Sequence, residues 1–145
     1  MFKIVYLKHG WLELMFDRGN TVTASRVTSA DAANRFLAAL HDAVKDGTSK
    51  YLIFDAEAYF TVLLLKPLGD DIIITAFDPG VEPPRYDVSN PEKYAKKVIF
   101  ETRENVKEFI SDVCDEFLLY SDGAGISRWK ANWGEFPYKE LNMLK

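Results

Sequence analysis

The sequence predicts an α+β domain: a mostly antiparallel sheet of about six or seven strands, two main helices on one face, and a docked aromatic carboxyl-terminal segment. Three observations carry this. Apolar residues alternate or run over strand-like lengths through most of the chain. Helical spacing interrupts them in only two places, without the regular β-α-β alternation of a doubly wound sheet. The last 17 residues, WKANWGEFPYKELNMLK, hold two tryptophans, a phenylalanine and a tyrosine where most chains fray.

Taken in order, FKIVYL and WLELMF read as strands, with Lys8-His9-Gly10 as the turn between them. Asp17-Arg18-Gly19-Asn20 is a hairpin signal, because Gly and Asn accept the positive φ angles of tight hairpins. TVTASRVT, rich in β-branched residues, follows as a more solvated third strand. The period then changes. Ala33, Phe36, Leu37, Leu40 and Val44 make one apolar helical stripe, begun by a Thr28–Asp31 capping box and stopped by Asp46-Gly47.

KYLIFD and the following apolar runs return to strands, with Pro67, Gly69 and Asp70 marking an antiparallel turn. Residues 78–93 hold four of the six prolines and read as a long irregular loop, functional or disordered. KKVIFET is a further strand. Val106, Phe109, Ile110, Val113 and Phe117 line one face of a second helix, which Gly123 and Gly125 are expected to stop.

Burying an aromatic side chain removes about 150–250 Å² from water, and at about 25 cal/mol per Å² each contributes several kcal/mol. Trp129, Trp133, Phe136 and Tyr138 together rival the whole stability of an ordinary domain, so the tail is expected to dock. Its target is either the sheet face that the helices leave uncovered or another chain. The two tryptophans share a side only if SRWKANW is helical, and Pro137 suits the start of a last helix with Leu141 and Leu144 inward.

The chain has 145 residues, a single-domain length covering 1–145, with 48% hydrophobic and 28% charged residues. A net charge of −4 speaks against a nucleic-acid partner, since phosphate contacts need a basic face. The longest basic group, Lys93, Lys96 and Lys97, is interrupted by Tyr94 and Ala95. The single cysteine, Cys114, has no internal disulfide partner, and no apolar run approaches a membrane span of about 18 residues. A cytoplasmic protein without a membrane partner is expected.

Several segments together resemble a loose group of uncharacterised bacterial single-domain proteins. They are Gly10-Trp11-Leu12-Glu13, the helix with Phe36-Leu37-Ala38-Ala39-Leu40, the strand Phe54-Asp55-Ala56-Glu57, and the closing Trp133, Phe136-Pro137 and Leu141. Members share the Phe-Asp-x-Glu strand and the terminal Trp…Phe-Pro…Leu segment, and the resemblance spans most of the chain. It implies no catalytic activity. Relatives often carry Glu-Pro-Gly where this chain has Glu57-Ala58-Tyr59, so the turn after the glutamate differs. In size and charge the chain is also similar to immunity partners of bacterial toxins.

Candidate chemistry is sparse. Asp55 and Glu57, two apart in a strand, are expected to leave the same face and to form a ligand-binding or acid/base pair, or simply a solvated strand end. His9 and His41 stand in no nucleophile motif, and Cys114 borders the apolar face of the second helix as a small hydrophobe. No metal or cofactor is expected. Glu104, Glu108, Asp112 and Glu116 recur at helical spacing, with Asp115 beside them. They form either a solvated helix face or an acidic docking surface for a basic protein.

The expected function is therefore a non-catalytic protein-interaction domain, in one version an immunity-type partner of a toxin. Its contacts would be Glu108, Asp112, Asp115, Glu116, Trp129 and Trp133, with a basic protein or with a second copy of the chain. The alternative is a small-molecule binder or enzyme that uses Asp55, Glu57 and the 78–93 loop as a lid.

Overall fold

The computed structural model describes residues 1–80 and 97–145. Strand β1 (Lys3–Lys8), β2 (Trp11–Asp17) and β3 (Asn20–Ser25) form an antiparallel meander. Two helices follow, α1 (Arg26–Ser29) and α2 (Ala32–Asp46). Strands β4 (Lys50–Asp55), β5 (Phe60–Leu68), β6 (Asp71–Asp78) and β7 (Lys97–Asn105) make a second antiparallel sheet in that order. Helices α3 (Val106–Leu118), α4 (Gly123–Asn132) and α5 (Tyr138–Leu144) complete the described chain. The α+β class and the seven described strands match the expectation, but these strands form a three-stranded and a four-stranded sheet instead of one. The described helices number five, of which α2 and α3 are the longest.

Register explains which residues reach the core. In β2, Leu12, Leu14 and Phe16 are buried in strict alternation. In β1 the pairing shifts between Ile4 and Tyr6, so Val5 is an extra residue and the buried Ile4 and Leu7 stand three apart. The turn before β2 places His9 at φ 55° and Gly10 at φ 80°. Across the second sheet, the rows Leu52–Leu63–Ala76–Phe100 and Leu65–Ile74–Thr102 face the core. Pro67 belongs to β5 and not to the turn. It lies beyond the last β4–β5 pair, Lys50–Leu65, where its missing N–H leaves no β4 partner unpaired.

Helix α2 buries Ala33, Phe36, Leu37 and Leu40 as its spacing predicts, and Gly47 ends it in the left-handed conformation. Its start differs from the expectation. Arg26, Val27 and Thr28 leave the third strand for α1, whose N-cap is Ser25. Thr28 donates its hydroxyl to the carbonyl of Asp55, and Asp31 pairs with Arg35 at 3.0 Å, so no Thr28–Asp31 capping box forms. Helix α3 is capped by Asn105, which accepts from the N–H of Glu108.

An aromatic chain joins the layers. Phe2 stacks on Phe36 at 5.5 Å and on Phe117 at 6.1 Å, with its edge toward Phe16 at 5.6 Å. Phe16 continues to Phe100 of the second sheet, and Phe117 to Trp129 and Phe136. The tail is docked inside its own chain, with Trp129, Trp133, Phe136, Leu141 and Leu144 all buried, but Tyr138, expected among the docked aromatics, stays 46% exposed. Its site is not an uncovered sheet face: α5 packs on α2 and α3, and the end of α4 holds the β1–β2 turn. There, the N–H groups of His9 and Gly10 donate to Asn132 Oδ1 and to the Asn132 carbonyl.

Gly123 and Gly125 open α4 instead of stopping α3, which ends before them at Leu118. The reason for Gly125 is a close approach of backbones: an added Cβ would lie 1.9 Å from the carbonyl oxygen of Leu119. Replacing an exposed helical Gly by Ala ordinarily stabilises, by roughly 0.5–1 kcal/mol. Here backbone must move, so G125A is expected to destabilise by about 1–3 kcal/mol in urea unfolding, and a higher midpoint would contradict the packing.

Candidate functional site

A groove of about 640 Å³ lies between the α1–α2 region and the segment joining α4 to α5. Arg26, Asn34, Arg35, Trp133, Glu135 and Glu140 are among its lining residues. Most of its polar groups are occupied. Arg35 spans Asp31 at 3.0 Å and the Ile53 carbonyl at 3.2 Å, and the Asn34 amide donates to Glu140 at 3.3 Å. Among the described residues the Arg26 guanidinium donates only to the Trp133 carbonyl, at 3.4 Å. The indole Nε1 of Trp133 is buried and has no partner among the described residues, whereas that of Trp129 donates to the Glu135 carbonyl. No sequence motif announced this groove, because its lining comes from four separate segments.

Asp55 and Glu57 do not form the expected same-face pair. Strand β4 ends at Asp55, and Glu57 sits outside it with φ 67°. The Asp55 carboxylate accepts from the N–H of Glu57 at 2.8 Å, a local turn that holds the left-handed residue in place. Glu57 Oε2 in turn accepts from the buried Ser25 hydroxyl at 2.8 Å, and Ser29 Oγ accepts from the N–H of Asp55. These carboxylates fasten the start of α1 to the loop after β4. The 78–93 loop, proposed as their lid, lies from residue 81 onward outside the described residues.

The acidic series divides in the same way. Glu104 belongs to β7 and meets the Met1 ammonium at 3.0 Å, with Asp112 at 3.9 Å from the same group. Glu116 is buried, accepts from the N–H of Ile4 at 3.0 Å and stands 3.6 Å from Lys3 Nζ. It therefore anchors β1 on α3 and is not a solvated docking group. Glu108, Asp112 and Asp115 remain exposed on α3. Trp129 and Trp133, expected as possible partner contacts, are 0% and 2% exposed and serve the chain's own core.

The histidines are far from cooperating: His9 sits in the β1–β2 turn, and His41 Nδ1 contacts Asp42 on α2 at 3.0 Å. Among the described residues, no group of three or more His, Cys, Asp or Glu side chains is placed to hold a metal ion. No described helix is long and apolar enough to cross a membrane.

The outer face of the four-stranded sheet is the feature that the sequence reading did not single out. The cross-strand row Ile53–Val62–Phe77–Val98 is apolar over all four strands, with Val62 buried, Ile53 and Phe77 half-buried and Val98 exposed, and the half-buried Tyr51 and Leu64 extend it. The β6–β7 register shifts beside Phe77, so Ile99 is an extra residue, and Val98 and Ile99 are 53% and 50% exposed. Toward the other end the face becomes polar, with Thr75 donating to Glu101 and Arg103 paired with Asp71 at 2.8 Å.

No protein-family model, no curated protein and no solved structure matches this chain.

Burial pushes the Cys114 thiol above its ordinary value of 9.0, Asp115 beside it acts in the same direction, and Lys145 opposes. Burial also raises the Tyr120 hydroxyl above 10.0, with Arg128 opposing and Glu116 adding. Above these ordinary values the unfolded chain loses protons that the folded chain keeps, so stability falls as pH rises. Well below pH 9.0 both groups are protonated in both states and contribute nothing to pH dependence. The urea midpoint is expected to decline above pH 9.0, less steeply in C114A, and native Cys114 to react with a thiol reagent far more slowly than in urea. Equal labelling rates in the two states would contradict this burial.

Proposed function

We propose that this chain is a non-catalytic protein-interaction domain whose principal contact is the apolar outer face of the β4–β7 sheet at its β7 end. The observation that carries the reading is the half-exposed pair Val98 and Ile99, the open end of a row in which Phe77 and Ile53 are half-buried and Val62 is buried. Adjacent exposed aliphatic side chains on an apolar sheet face are a costly use of surface unless something covers them. Strand addition is the weaker mode of contact. The bulge and the charged Lys97, Glu101 and Arg103 blunt the β7 edge, which favours side-chain docking onto the face.

The partner that suits this arrangement is a protein with an apolar contact surface and a basic border. Glu108, Asp112 and Asp115 on α3 would speed its approach by long-range attraction without forming the contact itself. An immunity-type role, in which the chain covers a toxin, is one form of this function. Trp129, Trp133 and Glu116 have no part in it, because each is buried in the fold.

The test separates the two kinds of surface. Affinity purification from the source cells is compared for the natural chain, V98D/I99D and D112K/D115K. The aspartate pair is expected to lose the partner while unfolding at an unchanged temperature. The charge reversal is expected to slow association about tenfold or more at low salt and much less at high salt. Recovery of the same partner in equal yield with V98D/I99D would remove the sheet face from the account.

A further inference from the structure

We propose that the Asp122–Gly123 bond is a site of spontaneous isoaspartate formation, which makes the aged chain a methyl acceptor for the class of S-adenosylmethionine-dependent enzymes that act on isoaspartyl carboxylates. The site is unrelated to the sheet face. What singles it out is how differently the fold holds the two Asp-Gly bonds of the sequence, Asp46-Gly47 and Asp122-Gly123.

The reaction joins a side chain to the next backbone nitrogen. Gly123 N attacks Asp122 Cγ, and the amide hydrogen leaves with the carboxyl hydroxyl as water, closing a five-membered imide. A second water then opens the ring. Breaking the bond from nitrogen to Cγ restores aspartate. Breaking the bond from nitrogen to the backbone carbonyl carbon leaves the chain running through Cγ, with one extra methylene and a free α-carboxylate. An oxygen of that carboxylate is what takes a methyl group from the sulfonium of S-adenosylmethionine. Glycine at the second position favours ring closure, because it has no Cβ to obstruct the approach. Nitrogen, carboxyl and the backbone between them must all be released from other bonds before they can meet.

Access does not separate the two sites. Asp46, Gly47, Asp122 and Gly123 are all exposed, and an added Cβ at either glycine would meet nothing within 4 Å. Bonding does separate them. Asp46 ends α2, where the Gly47 N–H donates to the Ala43 carbonyl at 3.0 Å and the Asp46 carboxylate pairs with Lys50 at 3.3 Å. Ring closure there must break both. Asp122 stands before α4 in an extended conformation, φ −152° and ψ 178°, and its carboxylate makes no cap bond. Gly123 is the first residue of α4, a position whose N–H has no acceptor within the helix. Among the described residues neither reacting group has another partner, so both can react without undoing folded structure.

The position also gives the change a consequence. Before it, the Ser121 carbonyl accepts the Tyr138 hydroxyl at 2.7 Å, and after it, Gly125 packs closely on the Leu119 carbonyl. A methylene inserted between these contacts shifts α4 against α3 and loosens the docked tail.

The full chain is aged warm at neutral pH, folded and in urea, and its tryptic peptides are sequenced by electron-transfer fragmentation, which distinguishes isoaspartate from aspartate. Cleavage after Lys45, Lys50, Lys107 and Arg128 puts the two sites on separate peptides. In the folded chain isoaspartate is expected to form at residue 122 about tenfold or more faster than at residue 46, and in urea the two rates are expected to agree within about twofold. The aged folded chain is expected to accept methyl label from an isoaspartyl methyltransferase and to unfold at a lower urea midpoint, whereas D122S of the same age does neither. Similar rates at the two sites in the folded chain, or isoaspartate at residue 122 in urea alone, would overturn the proposal. An unchanged midpoint in the isoaspartyl fraction would remove the effect on the tail. Serine is a favoured N-cap, and if D122S nonetheless fails to fold, the comparison of the two sites in the natural chain decides alone.

Discussion

The structure depends on one shared aromatic core that neither sheet could make alone. A three-stranded meander and a four-stranded meander each present one apolar face, and each is too small to close over itself. Phe2 and Phe16 from the first sheet's side meet Phe36 of α2, Phe109 and Phe117 of α3, and Phe100 of β7. Offset and edge-to-face packing of these rings adds about 0.5–1.5 kcal/mol per pair beyond area burial. Trp129 and Phe136 extend the cluster past Phe117, so the carboxyl-terminal segment is part of the core.

Polar residues then hold the layers in register. Glu116 receives the N–H of Ile4, Asn132 receives the β1–β2 turn, and Ser25, Ser29, Asp55 and Glu57 join α1 to the loop after β4. Each of these ties takes a group that in isolation resembles a binding residue. What the fold leaves on the surface is the end of the outer sheet row at Val98 and Ile99 and the α3 carboxylates Glu108, Asp112 and Asp115.

Local signals in the sequence were reliable where one rule acted without competition. The α2 stripe, the Gly47 stop, the Gly19 hairpin and the burial of the tail all follow from spacing, turn chemistry and area. Failures came where distant backbone set the outcome. Gly125 reads as a helix stop, yet it is a helical residue forced small by the Leu119 carbonyl. Thr28 and Asp31 have capping-box spacing, yet Asp55 and Arg35 are their partners. The acidic series looks like a solvated stripe until β1 is placed across it. The groove was illegible because Arg26, Arg35, Trp133 and Glu140 meet only through tertiary packing. Division of the strands into two sheets was equally hidden, since alternation fixes a strand's faces and not its neighbours.

Ending the chain at Asp122 tests the central claim most directly, because it removes α4 and α5 while leaving every strand intact. The account predicts a product without a cooperative unfolding transition, with poorly dispersed amide signals and exposed apolar surface that binds dye. A shortened chain that unfolds cooperatively at the midpoint of the intact protein would contradict it.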